Sequence, residues 1–257
     1  MNRKKIIALI ATVSLCASLA IGGTLAYFTD EDAAVNTFTV GDVDIELEEP
    51  NWNQEEGGNM LLPSVEYEKD PTITAQPDSQ PSYLFLEMEL DNHKKFINLM
   101  GVHHASVLNN DHDVTNDMVF DSSTYYDIFV DGLKNKDADI LATVSEWFSG
   151  IDYTKWEVID SASTEEDGTI VLGYIGDGTS EGAIQLAGTE IVFMTTFGMP
   201  ATVTKEMIET QSHNANIYNG GQPFDMSFKA SAIQAEGIYE SNLSATEVLT
   251  KAYGEIQ

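Results

Sequence analysis

The chain has 257 residues, with 12 Lys and Arg against 42 Asp and Glu, a net charge of −30 at pH 7. Such a balance repels phosphate backbones and anionic lipid surfaces, which excludes nucleic-acid binding, and it attracts divalent cations and basic partners. A hydrophobic content of 42%, with 11 Phe, 10 Tyr and 3 Trp, excludes a disordered tail and supports one sizeable core.

Arg3, Lys4 and Lys5 open the chain with positive charge, and residues 6–21 form an apolar stretch. Gly22-Gly23 breaks it. Thr24-Leu25-Ala26 then sets small residues at the two positions a signal peptidase reads, so the pattern is a secretory signal cut between Ala26 and Tyr27. The apolar stretch is shorter than the roughly 20 residues a bilayer span needs. Removing the signal takes away three bases and no acids, leaving nine bases against 42 acids, a net −33. Cys16 is the sole cysteine and lies inside the signal. A secreted chain without disulfides suits a bacterial exterior, where the core does the stabilising.

After the signal, Phe38 and Val40 begin an alternation, and Gly41 marks a change of phase. Over residues 42–48, Val43, Ile45 and Leu47 alternate with Asp44, Glu46 and Glu48, the pattern of a half-buried strand. A polar connector with Gly57-Gly58 spans 50–63. Leu84, Leu86, Met88 and Leu90 then share one face of a second strand. Residues 92–124 are polar, hold four of the five histidines, and read as an inserted excursion. Residues 125–130 and 155–159 read as strands. Residues 137–150 carry Ile140, Val144, Trp147 and Phe148 near helical spacing, with Gly150 as a stop. Residues 169–175 and 190–197 read as strands apolar on both faces, and 204–211 as a short helix. Over 224–233, Phe224, Met226, Phe228, Ala230 and Ala232 alternate with polar residues. Ser244 and Glu247 form a capping box for a final helix over 244–253. The expected fold is all-β: an antiparallel β-sandwich of jelly-roll type with a few short inserted helices. Residues 1–26 are the signal, 27–48 an N-terminal strand segment and 49–257 the sandwich domain.

The junction Gly22-Gly23-Thr24-Leu25-Ala26-Tyr27-Phe28-Thr29-Asp30 resembles the signal-to-mature boundary of the TasA/camelysin family, secreted proteins of Gram-positive bacteria processed by the signal peptidase SipW. Asn36-Thr37-Phe38-Thr39-Val40-Gly41-Asp42-Val43-Asp44-Ile45 resembles that family's first mature strand. Leu62-Pro63 and Lys69-Asp70-Pro71-Thr72-Ile73 resemble the stretch after it, and Ala230-Ser231-Ala232-Ile233-Gln234-Ala235 the closing strand of related matrix proteins. The middle of the chain departs from the family pattern. The resemblance implies a jelly roll and a role as subunit of extracellular biofilm-matrix fibres, in which the N-terminal tail of one subunit completes the sheet of the next. On that reading the donor strand carries Phe38, Val40, Val43, Ile45 and Leu47. The partners are a second copy of the chain, a SipW-type signal peptidase, an accessory matrix protein and divalent cations. The location is the extracellular matrix or cell surface. Strand addition to an open sheet edge satisfies unpaired backbone groups, and head-to-tail addition does not close, so it yields filaments. The same alternation equally suits an ordinary first strand folded into its own domain.

Some camelysin-type relatives are described as metal-dependent peptidases, which makes that activity one alternative; a monomeric surface adhesin is another. No His-Glu-x-x-His occurs, and no histidine has a partner at the spacing that sets two zinc ligands on one helix face. His93, His103, His104, His112 and His213 show no ligand spacing. The acidic run 109–117 lacks the Gly and Glu of a calcium-hand loop, having Asn116 and Ser122 in their places. The mature chain has no cysteine nucleophile and no Gly-x-Ser-x-Gly elbow. No catalytic residue, metal ligand or cofactor site is assigned, and the chain is read as a non-enzyme. Trp147 and Trp156 read as packing residues, and Trp52 lies in a polar connector.

Overall fold

The computed structural model describes residues 29–33, 36–38, 43–52, 62–90, 93–108, 122–160, 162–164, 168–210 and 226–256. Its centre is an antiparallel pair of long strands, β6 (Ser82–Leu90) and β12 (Met226–Gln234), in register from Ser82↔Gln234 to Leu90↔Met226. The other strands are β1 (Thr29–Ala33), β2 (Asn36–Phe38), β3 (Ile45–Glu48), β4 (Glu66–Glu68), β5 (Thr72–Ala75), β7 (Phe148–Ser149), β8 (Trp156–Val158), β9 (Thr169–Tyr174), β10 (Glu190–Val192) and β11 (Thr196–Gly198). They form a six-stranded sheet in the order β2-β1-β12-β6-β9-β8 and two three-stranded sheets, β10-β5-β3 and β4-β11-β7. All named pairings are antiparallel. The β-rich antiparallel expectation therefore holds.

Period-two alternation sorts β6 between two cores. Leu84, Leu86, Met88 and Leu90 join the larger core with Val43, Ile45, Leu47, Ile73, Ile191 and Phe193 of the β10-β5-β3 layer. Tyr83 and Phe85 point the other way, into a smaller core with Ile233 and Val171. That second core is closed by the C-terminal helix α5 (Ala245–Gly254), which supplies Ala245, Val248, Leu249 and Ala252. The capping box read from the sequence is present: Ser244 accepts from Glu247 N–H and Glu247 accepts from Ser244 N–H.

Three expectations are corrected. Residues 92–124 are not simply polar. They contain α1 (His93–Leu108), in which every residue from 96 to 104 is buried. The Asn and His side chains disguised a helix buried all round. Residues 125–130 lie within α2 (Ser122–Asn135) and not in a strand. Tyr126, Phe129 and Val130 are buried while Asp127 and Ile128 are exposed, which is helical spacing that aromatic and β-branched residues masked. Residues 190–197 do not make one strand. Phe193 N–H still bonds Pro71 O along the line of β5, whereas Thr195 N–H bonds Ser149 O, so the run crosses from β10 to β11 in a different sheet.

Helix α3 (Ala138–Trp147) starts as expected, with Asp137 capping Asp139 and Ile140 N–H. Helices α1, α2 and α3 together form an insert between β6 and β7 that packs on the larger core. Gly132 lets α2 approach α3, because a Cβ there would lie 2.5 Å from Ile140 Cγ2. Gly150 follows β7 at φ +85°, a left-handed turn that brings the chain against Thr195. A short helix, α4 (Lys205–Thr210), precedes β12.

The layer added by α5 yields a stability test. Leu249 is fully buried against the sheet. Leu249→Ala should cost about 3 kcal/mol, read by thermal circular dichroism as a fall in Tm of roughly 6–12 °C for a domain of this size.

Candidate functional site

The N-terminal segment and its dock are the candidate site. β1 lies along the free side of β12, from Thr29↔Ile233 to Ala33↔Lys229. β2 folds back on β1, with Phe38 opposite Glu31, and forms the outer edge of the sheet. Among the described residues, β1 pairs with β12 over 229–233, and β12 itself runs on to Met226. Ala26, Tyr27 and Val40 lie outside the described residues. Val43, Ile45 and Leu47 are 0, 1 and 7% exposed in the chain's own core, and β3 pairs with β5 from Ile45↔Ala75 to Glu48↔Thr72. The two halves of the expected donor segment thus have different settings: β1–β2 at an edge, β3 anchored inside.

What anchors β3 is a lock that sequence reasoning missed. Glu49–Trp52 turns on a Trp52 N–H to Glu49 O bond of 3.1 Å. The buried Lys69 Nζ lies 2.7 Å from Glu49 Oε1 and 2.9 Å from Oε2, donating to the latter. The same ammonium sits 4.2 Å from the Trp52 ring centroid and 5.5 Å from that of Phe228. Asp70, also buried, accepts from Asn51 N–H at 3.1 Å and Asn51 Nδ2 at 2.7 Å. Ring faces and a carboxylate compensate for the desolvation of Lys69. The one signal in the sequence was the Lys69-Asp70-Pro71 triplet ahead of an alternating run, in a chain with few cations.

Among the described residues, His103 and His104 pack into the core. His103 is fully buried, with Nε2 2.7 Å from Thr202 Oγ1, while Trp147 Nε1–H donates to its Nδ1 at 3.3 Å. His104 Nδ1 is 2.8 Å from Thr143 Oγ1. Burial pushes both imidazoles below their ordinary range; Glu146 partly opposes this at His103, and Asp139 and Asp137 at His104. His112, His213 and the acidic run 109–117 lie outside the described residues. Among the described residues, no three His, Cys, Asp or Glu are grouped to hold a metal ion. Trp147 and Trp156 are core residues, as expected.

A cavity of about 60 Å³ lies between the sandwich and the insert, lined by Met88, Leu90, Phe96, Met100, Trp156 and Phe193 among others. Ligand pockets run to about 300–1,000 Å³ with convergent polar groups. This one is a packing gap beneath the insert. Among the described residues, no helix is long and apolar enough to cross a membrane.

Edge hairpin, anchored third strand and lock define an acidic antiparallel β-sandwich protein whose N-terminal strands close its main sheet. Residues 2–55 match the family model described as camelysin metallo-endopeptidase. The match covers the N-terminal leader and first strands; residues 56–257 lie outside it. No curated protein and no solved structure matches the chain.

The lock predicts a measurable loss. Glu49 keeps 26% of its side-chain surface exposed and can recover water when Lys69 is removed, so the cost is smaller than for a fully buried pair. Lys69→Ala should lower stability by about 2 kcal/mol in urea denaturation.

Proposed function

We propose that the chain is an exported structural protein of an extracellular matrix. A SipW-type signal peptidase frees Tyr27, and the released N-terminal segment pairs with a second copy to build fibres. The observation that carries this reading is the setting of β1 and β2. They form an edge hairpin whose strand pairing to the body of the sheet, among the described residues, is with β12, within the family-matched N-terminal region. Moving such a hairpin to a neighbour exchanges one set of ladder hydrogen bonds for an identical set, so the exchange costs little beyond ordering the linker. β3 stays behind because Val43, Ile45 and Leu47 and the Lys69 lock fix it. The exchange is heterologous and propagates. A jelly-roll winding of the sandwich, surface location and recruitment of an accessory matrix protein or divalent cations belong to the same proposal.

Deleting residues 27–38 after the signal should leave a folded monomer and abolish filaments in negative-stain images. Fibres that form unchanged without the hairpin would refute strand exchange. Extending the deletion through Glu48 removes three core side chains and should unfold the domain, which separates exchange from simple loss of fold.

The printed description of the family model favours a second reading, a secreted metal-dependent peptidase. Casein digestion by the purified protein that stops with a chelator and returns with zinc would establish it over the structural role. The fibre reading expects no chelator-sensitive digestion.

A further inference from the structure

We propose that His103 and Trp147 form an acid-operated clip, which holds the helical insert on the sandwich at neutral pH and releases it when His103 takes up a proton. The geometry fixes where the ring hydrogen sits. Trp147 Nε1 can only donate, and it points at His103 Nδ1 from 3.3 Å. Thr202 Oγ1, 2.7 Å from Nε2, gives its own hydrogen to Glu146 Oε2 at 3.3 Å. The neutral ring therefore carries its hydrogen on Nε2 and keeps Nδ1 as a bare acceptor. A second proton has one place to go, Nδ1, where it meets the indole N–H donor to donor. His103 and Trp147 are 0 and 1% exposed, so neither can turn to water without the helices moving.

The contact that breaks joins separate elements. His103 is on α1, Trp147 ends α3, and Thr202 lies in the segment before α4. Trp147 also stacks edge-on to Phe96 at 5.2 Å, and Phe96 contacts Phe148 and Phe197 at 5.9 and 5.8 Å. Opening the clip unseats this aromatic cluster, which spans the insert and the β4-β11-β7 sheet.

His104 reinforces the effect. Thr143 donates to Asp139 O at 3.1 Å, so His104 Nδ1–H donates to Thr143, and burial disfavours a second proton on this ring as well. The charged groups around the pair come from each packed element. α3 faces His103 with Glu146 and His104 with Asp137 and Asp139. His103 and His104 are adjacent on α1, where His104 disfavours charge on His103 through space; α2 presents the Phe129 ring to His104, and Lys205 begins α4, which packs on α1. Burial wins over the carboxylates for both rings. The closed state thus binds fewer protons than the open one. Its stability is complete above about pH 6.5 and falls as the pH drops from there through the lowered values of the folded state. The clip does not depend on strand exchange, because it involves neither β1 nor β2.

The test is hydrogen exchange by mass spectrometry on the full chain between about pH 7 and about pH 5, corrected for intrinsic rates, with the His103 ring followed by NMR. Opening of 93–108 and 138–147 should rise by up to about tenfold per pH unit for each proton taken up. The β6 and β12 amides should stay protected. His103→Asn keeps an acceptor for Trp147 and should remove the share of the slope that His103 contributes. Trp147→Phe removes the opposing donor and should raise the midpoint of His103. A flat profile in the wild type, an unchanged slope in His103→Asn, an unmoved His103 midpoint in Trp147→Phe, or loss of the β6–β12 protection together with the insert would each overturn the clip.

Discussion

The antiparallel ladder between β6 and β12 is the constraint on which the rest depends. Nine residues of each strand pair in unbroken register, at the centre of the six-stranded sheet. Strands buried on both faces cannot slip by one residue without turning every side chain into the wrong core. β6 sets Leu84, Leu86 and Met88 against the larger core and Tyr83 and Phe85 against α5. β12 keeps Ala230 and Ala232, both fully buried, on the face toward β3. Small side chains there leave room for the facing layer. The free side of β12 is the edge on which the N-terminal hairpin lies.

The family-model match and the architecture meet at this edge. The matched residues 2–55 include β1, β2, β3 and the turn that Lys69 and Asp70 hold. None of these strands is a fold by itself. β1 needs β12, β3 needs β5, and the turn needs a cation from outside the match. The insert α1–α3 lies outside the matched residues. It buries the two histidines, and that couples a segment rich in titratable groups to the aromatic centre of the larger core.

Much of the β framework was legible. Val43, Ile45 and Leu47 alternate so regularly with acids that strand and face followed directly, and the same holds for Leu84 to Leu90 and Phe228 to Ala232. Ser244 with Glu247 announced α5, because a capping box is a local arrangement. α1 was not legible: its Asn98, His103, His104 and Ser106 look polar in sequence and are buried in the fold. α2 was misread because Tyr126, Phe129 and Val130 favour strands locally, and packing overrode that preference. Of the candidate site, the alternation of β3 was visible. Its lock was not, since Glu49 and Lys69 lie 20 residues apart and neither is unusual alone.

The sequence by itself determined the acidity, the absence of cysteine beyond Cys16, and the family-model match over residues 2–55, because these are local or compositional properties. It also determined which strands have a buried face, since period-two alternation needs no partner to be seen. Only the tertiary structure decided which partner each strand takes: β12 for β1, β5 for β3, and two different sheets for the run 190–197. It alone decided that Lys69 enters a core beside Trp52 and that His103 faces Trp147. The reason is physical. A side chain's pattern reports how much of it avoids water, whereas what it touches instead depends on chain closure over tens of residues.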